Sequence, residues 1–123
     1  MKKPPKNILI TEDNAFILRM MQKTLVERGL NVRAVRSAQE AIDAIKEDPP
    51  HLLLLDLLLP KIDGFTVLIN CRDTKKKFPI VICSNVSDTK TRERCKNFGV
   101  AAFVVKSDID DQQLGSIVDK HLP

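Results

Sequence analysis

Short apolar runs alternate along this chain with segments whose apolar residues recur every third or fourth position, and that alternation of two periods admits few folds. Asn7-Ile-Leu-Ile-Thr11, Asn31-Val-Arg-Ala-Val35, the leucine run from His51 to Pro60, Phe78-Pro-Ile-Val-Ile-Cys83 and Ala101-Ala-Phe-Val-Val105 read as strands. A first helix is predicted from Ala15 to Arg28, with Leu18, Met21 and Leu25 on one face and Gly29 as its stop. Ser37-Ala-Gln-Glu40 has the form of a capping box and opens a second, with Ala38, Ala41, Ile42 and Ile45 inward; Asp48-Pro49-Pro50 ends it. Asp63-Gly64 makes a turn into a third helix, marked by Phe65, Leu68 and Ile69 and running to about Asp73. The fourth, from Asp88 to Phe98, stops at Gly99 and has few apolar residues besides Cys95 and Phe98, so it is expected to be the least securely packed and the most mobile. The last, capped at Asp108 or Asp110, runs to about His121 with Leu114, Ile117 and Val118 inward. Gly115 inside it is expected to weaken it by up to about 1 kcal/mol relative to alanine.

Near-continuous apolar strands are those buried on both faces, and right-handed crossovers carry the intervening helices over the sheet. The expected fold is therefore α/β: a doubly wound, flavodoxin-like, five-stranded parallel sheet of order 2-1-3-4-5 with helices on both faces. The 123 residues are expected to form a single domain, 1–123, with 1–6 as a flexible leader.

Several function classes fall away. No apolar run approaches the roughly 18 residues of a membrane span. Met1-Lys-Lys-Pro-Pro-Lys leads into a strand, not a signal-peptide core, so a cytoplasmic location is expected. Cys71, Cys83 and Cys95 are odd in number and lack a C-x-x-C pair, which argues for reduced thiols over a disulfide framework or a zinc site. The net charge of +4 is modest, and the lysines at positions 2, 3, 6 and 75–77 sit in loop-like stretches without interleaved aromatics, so direct nucleic-acid binding is not expected. Neither His51 nor His121 has partners that suggest catalysis.

One residue contradicts a purely structural reading of the leucine run: Asp56. An isolated buried carboxylate is expensive unless it is paired, metal-bound or neutralised. In a parallel sheet the strands' carboxyl ends point the same way, and ligands bind outside them where the strand order reverses. The first strand ends in Thr11-Glu12-Asp13, the third in Asp56, the fourth in Ser84-Asn85, the fifth in Lys106-Ser107, and the second in the less informative Arg36. If the order is 2-1-3-4-5, strands one and three are neighbours and Glu12, Asp13 and Asp56 share one crevice. Like charges at that range repel unless a cation intervenes. Mg²⁺, a hard ion that takes oxygen ligands, suits the task. Lys106 adds a fixed positive charge and Ser84 a hydroxyl, an arrangement suited to accepting a phosphoryl group on Asp56. The plain alternatives are a strand-end carboxylate bonded to loop amides and an acidic pair capping the first helix.

Glu12-Asp13, Asp56 with Pro60 and Asp63-Gly64, Ser84 and Lys106 together resemble the response-regulator receiver domain of two-component signalling, over essentially the whole chain. The resemblance implies that Asp56 is the phosphoacceptor, taking phosphoryl from a sensor histidine kinase, a phosphotransfer protein or a small phosphodonor. It implies that Asp13 and Asp56 bind Mg²⁺ with the backbone carbonyl of Leu58, Glu12 acting through water. Ser84 and Lys106 hold phosphoryl oxygens, and Phe103 is the switch aromatic that displays the signal on the face of the fourth helix, fifth strand and fifth helix. Such a domain promotes only its own phosphorylation and dephosphorylation, as a monomer or a phosphorylation-dependent dimer, for a downstream protein that the sequence leaves unknown.

Three departures stand out. Ser107 replaces the proline usual after the lysine, so the Lys106-Ser107 bond is expected to be trans. Asn85 stands where a small residue is usual, and its bulk is expected to narrow access to Asp56. Leu58 and Val86, both apolar, flank the path of hydrolytic water, which predicts a long-lived phosphoryl state. Among other classes, a haloacid-dehalogenase-type phosphatase wants a second acid where Leu58 stands, and a flavodoxin wants a hydroxyl- and glycine-rich loop where Glu12-Asp13 stands. The remaining alternative is a pseudo-receiver, a protein-interaction module of the same fold that works without phosphorylation.

Overall fold

The computed structural model describes residues 4–74 and 76–123; part of the expected leader, residues 1–3, and Lys75 of the second lysine run lie outside the described residues. Strands β1 (Asn7–Thr11), β2 (Asn31–Val35), β3 (Leu52–Leu55), β4 (Ile80–Ser84) and β5 (Ala102–Val105) form one parallel sheet in the order β2-β1-β3-β4-β5. They alternate with α1 (Ala15–Glu27), α2 (Ala38–Glu47), α3 (Gly64–Arg72), α4 (Thr89–Asn97) and α5 (Asp111–His121), so the expected fold and topology are the observed ones. Among the described residues no helix is long and apolar enough to cross a membrane.

Side-chain alternation along the strands builds two cores. Ile8, Ile10, Leu52, Leu54, Val81 and Cys83 pack with Leu18, Met21 and Leu25 of α1 and Leu114 and Val118 of α5. Leu9, Leu53, Leu55 and Ile82 face the other way, onto α2, α3 and Cys95 of α4. All four leucines of β3 are buried, each contributing on the order of 1.5–3 kcal/mol of hydrophobic stabilisation.

The helix starts are set by their caps. Asn14, Ser37, Asp63, Asp88 and Asp110 each accept a backbone N–H of the first turn, and Asp110 forms a full capping box with Gln113. Asp110, not Asp108, therefore caps α5; Asp108 belongs to a short 3₁₀ turn over Lys106–Asp108. The cap of α1 is Asn14, which frees Glu12 and Asp13 from that duty.

Three local expectations are corrected. The inward face of α3 is Val67, Leu68 and Cys71, and Ile69 is 47% exposed, because capping at Asp63 starts the helix on Gly64 and sets its rotation. Gly64 is more than a turn residue: a Cβ there would lie 2.5 Å from the Asp56 carbonyl oxygen and 2.8 Å from the Leu57 Cα, so the close approach of α3 to the end of β3 demands glycine. Gly115 likewise makes room, since a Cβ on it would lie 2.5 Å from Arg28 Cδ. The Arg28 side chain crosses α5 at that point and reaches Asp119, with Nη2 to Oδ2 at 2.6 Å.

Helix α4 buries only Cys95, as its sequence suggested. Its arginines stack instead on phenylalanine faces: Arg94 lies 3.8 Å from the ring centroid of Phe65 and Arg92 4.6 Å from that of Phe103. From α3, Arg72 covers Phe98 at 4.1 Å. Such pairs contribute about 0.5–1 kcal/mol each at exposed positions. The three cysteines are free and buried; burial pushes the Cys71 thiol up to about 11 and that of Cys83 to about 12.

Candidate functional site

The carboxyl ends of β1 and β3 meet because the ladder continues past the strand: the Asp56 N–H donates to the Thr11 carbonyl at 3.1 Å. That bond sets Asp56 beside Glu12 at the switch point of the sheet. One carboxylate oxygen from each of Glu12, Asp13 and Asp56 lies within 4.8 Å of the others. Glu12 and Asp56 are buried, 1% and 4% exposed, whereas Asp13 is exposed. They open into a crevice also lined by Asn14, Phe16, Arg36, Leu58, Asn85 and Lys106.

The cation that meets Asp56 is Lys106. Its Nζ donates to Asp56 Oδ2 at 2.6 Å and lies 2.5 Å from Glu12 Oε1, which has no other partner among the described residues and meets the ammonium as an ion pair. The opposite oxygens are held by the backbone: Asp56 Oδ1 accepts the Leu58 N–H at 3.2 Å, and Glu12 Oε2 the Asn14 N–H at 3.1 Å. Burial pushes Glu12 above the usual carboxylate range, opposed by Lys106 and reinforced by the negative charge of Asp56. Burial alone would lower Lys106, but its bonds and attraction to Asp56 and Glu12 outweigh that and hold it above the ordinary lysine value.

At the cluster itself three carboxylates meet one ammonium, an all-oxygen donor set, while the guanidinium-bearing Arg19 and Arg36 also line the crevice. This donor set fits a hard divalent cation such as Mg²⁺ and offers neither thiolate nor imidazole to a softer metal.

Of the remaining expected residues, Leu58 is 61% exposed at the rim, and its N–H, already bonded to Asp56, ties its backbone to the site. Ser84 is fully buried at the end of β4; its Oγ accepts the Val86 N–H at 3.3 Å and does not line the crevice, whose wall there is Asn85. Phe103 lies outside the crevice, half-buried on β5 under Arg92. The Lys106-Ser107 bond is trans, since no cis peptide occurs among the described residues. Asn85 and Ser107 are bonded to each other, Oδ1 accepting the Ser107 N–H at 2.9 Å.

Arg36, which looked uninformative in sequence, donates from Nε and Nη2 to the Asp13 carbonyl at 3.1 and 2.9 Å and so fixes the β1–α1 loop from the neighbouring strand. Its place at the end of a strand adjacent to β1 was the available signal.

Comparison with known proteins agrees with this geometry. The family model for the response regulator receiver domain matches residues 8–119. The chemotaxis protein CheY of Bacillus subtilis is 30% identical over 111 residues, covering 89% of this chain and 92% of that protein. A relative from Porphyridium aerugineum, named "Probable transcriptional regulator ycf27", is 31% identical over 103 residues, 82% of this chain but only 42% of its own length, so this chain spans less than half of that longer protein. A solved CheY-like receiver domain protein from Methanospirillum hungatei superposes with a TM-score of 0.89 at 22% identity, covering 94% of this chain and 92% of that one, a likeness of fold. With the sheet order, the acidic crevice and the lysine at the fifth strand's end in place, the chain belongs to the response regulator receiver domain family.

Proposed function

We propose that this receiver is a phosphoacceptor, that residues 1–123 act as one unit in the cytoplasm, and that Asp56 takes a phosphoryl group from a histidine kinase or phosphotransfer protein. The observation that carries this reading is the Asp56 carboxylate held between the Lys106 ammonium at 2.6 Å and the carboxylates of Glu12 and Asp13. In the transfer, an Asp56 carboxylate oxygen bonds to phosphorus as the P–N bond of a phosphohistidine breaks; the electron pair returns to the ring nitrogen, leaving an acyl phosphate on Asp56 and, with the other ring nitrogen protonated, a neutral imidazole. Asp13, Asp56 and the Leu58 carbonyl would hold Mg²⁺, with Glu12 reaching it through water; the ion supplies charge neutralisation for the phosphoryl oxygens. Lys106, already at the acceptor carboxylate, supplies the second positive charge.

Ser84 is the hydroxyl for a phosphoryl oxygen. Its Oγ accepts the Val86 N–H, which leaves the hydroxyl proton to be donated to a phosphoryl oxygen. Phe103 packs close to α4 through Arg92, which makes α4, β5 and α5 the face on which the change is read by a downstream protein. Phosphorylation acts there only through its differential stabilisation of one arrangement, on the order of 1–3 kcal/mol. The domain promotes its own phosphorylation and dephosphorylation and transforms no other substrate.

The test is intact mass after incubation with acetyl phosphate, with and without Mg²⁺, beside Asp56→Asn. A Mg²⁺-dependent phosphoryl adduct absent from the variant is expected. No adduct, together with no Mg²⁺ binding, would replace this reading with the phosphorylation-independent interaction module.

A further inference from the structure

The two positions at which this chain departs from a small residue and a proline are joined to each other. Asn85 follows Ser84 at the end of β4, and Ser107 follows Lys106 at the end of β5. Asn85 Oδ1 accepts the Ser107 N–H at 2.9 Å. Ser107 lies in the three-residue 3₁₀ turn over Lys106–Asp108, whose leading N–H groups have no acceptor inside the turn and which has no side-chain cap from its own preceding residue. The acceptor must come from elsewhere, and Asn85 supplies it. Asn85 and Ser107 are exposed, but the backbone on either side of Asn85 is held: Ser84 before it is fully buried, and the Val86 N–H after it is bonded to Ser84 Oγ at 3.3 Å. A side chain on one loop therefore holds the backbone of the other, one residue from the ammonium that contacts Asp56 and Glu12.

We propose that Asn85 is a positioning residue for Lys106: by holding the Ser107 amide it keeps the lysine loop in the register that puts Nζ at the Asp56 carboxylate, and it makes the loops bearing the hydroxyl and the ammonium move as one unit. This rests on the phosphoacceptor reading for its effect on rate, but not for the tether itself. It also reassigns the role of Asn85. Its bulk at the crevice wall is secondary to its carbonyl oxygen, so removing the acceptor slows phosphorylation even where the bulk is kept.

Three variants separate these roles. Asn85→Leu keeps the size and deletes the acceptor, Asn85→Asp keeps the acceptor, and Ser107→Ala keeps the backbone donor while removing only a hydroxyl. Two measurements on the unphosphorylated protein read the tether directly: amide exchange at Ser107, and the Lys106 ¹⁵Nζ resonance, which reports contact with Asp56 and Glu12. Asn85→Leu should speed Ser107 exchange by about tenfold, the loss of one hydrogen bond, and move the Lys106 resonance. Asn85→Asp should restore the protection, and Ser107→Ala should leave both unchanged. With acetyl phosphate and Mg²⁺, Asn85→Leu should be phosphorylated about tenfold more slowly. Its Mg²⁺ affinity by calorimetry should stay within about twofold of the parent's, since the carboxylates are untouched. Unchanged exchange and an unmoved Lys106 resonance in Asn85→Leu would overturn the proposal, as would phosphorylation as fast as the parent's or faster. If the parent chain takes no phosphoryl group at all, the phosphoacceptor reading fails, and the exchange and resonance measurements still decide the tether.

Discussion

Lys106 Nζ stands 2.5 Å from Glu12 Oε1 while donating to Asp56 Oδ2 at 2.6 Å, so a single ammonium pairs with two buried carboxylates from two different strand ends. Fold stability and site chemistry are coupled at this point. Removing the lysine leaves two desolvated charges, a larger loss than the pair's net contribution.

Lys106→Met should therefore destabilise the protein by about 2–3 kcal/mol at pH 7, below the value for a fully buried pair because the ammonium is partly exposed. Glu12 has its folded value raised by burial, so its protonated form favours the folded state. The deficit should shrink as pH falls through the folded value of Glu12 toward the ordinary 4.5. Urea unfolding of parent and variant at pH 7 and pH 5 checks this; an equal deficit at both would place the lysine's role outside the pair.

Gly64→Ala should lower stability by about 1–3 kcal/mol, although it places a better helix former in α3. The added Cβ meets backbone atoms of Asp56 and Leu57, which cannot swing aside as a side chain can. Because the displaced backbone carries Asp56, phosphoacceptor activity should fall as well. A thermal melt and the acetyl phosphate assay measure the two effects.

Gly115→Ala tests a different kind of contact. Its Cβ meets only the flexible side chain of Arg28, so the helix-propensity gain of up to about 1 kcal/mol is offset by a displaced Arg28–Asp119 pair. The substitution should be near neutral in the parent and stabilising by about 1 kcal/mol in an Arg28→Ala background. A double-mutant cycle by urea unfolding reads the difference.

Alkaline pH should weaken the fold through its thiols. Cys71 and Cys83 are raised from 9.0 to about 11 and about 12, so the unfolded chain loses these protons first. Their contribution is complete below pH 9 and is lost as pH rises through the folded values, by about 1.4 kcal/mol per pH unit for each thiol between the unfolded and folded values. Lys106, raised above 10.5, adds a loss of the same sign at higher pH. Unfolding free energies between pH 8 and pH 11 should fall with a slope that Cys83→Ala makes shallower.

On the phosphoacceptor reading, Leu58→Asn should shorten the lifetime of the acyl phosphate. Leu58 is 61% exposed at the rim of the crevice and has no side-chain group to orient water, whereas an amide can hold one by hydrogen bonding. The decay of phosphoryl mass after removal of acetyl phosphate gives the rate, and an unchanged lifetime would remove Leu58 from the account.

The sequence by itself determined the order of elements, the parallel sheet and the strand ends at which polar residues gather. Those are local properties: apolar period separates Leu9 from Leu18, and caps such as Ser37 and Asp63 act within a single turn. It also singled out Glu12, Asp13, Asp56 and Lys106, because charge among apolar strand residues is conspicuous in one dimension. Only the tertiary structure decided which partners they take. That Lys106 reaches Glu12 as well as Asp56, that Arg36 holds the Asp13 carbonyl, and that Asn85 and Ser107 are one contact depends on how separate strands deliver their loops. Gly64 and Gly115 read as a turn and a weakness because neither contact lies within the glycine's own helix: α3 folds back onto the Asp56-Leu57 backbone a few residues before it, Arg28 comes from the far end of the chain, and only packing brings these atoms within 3 Å.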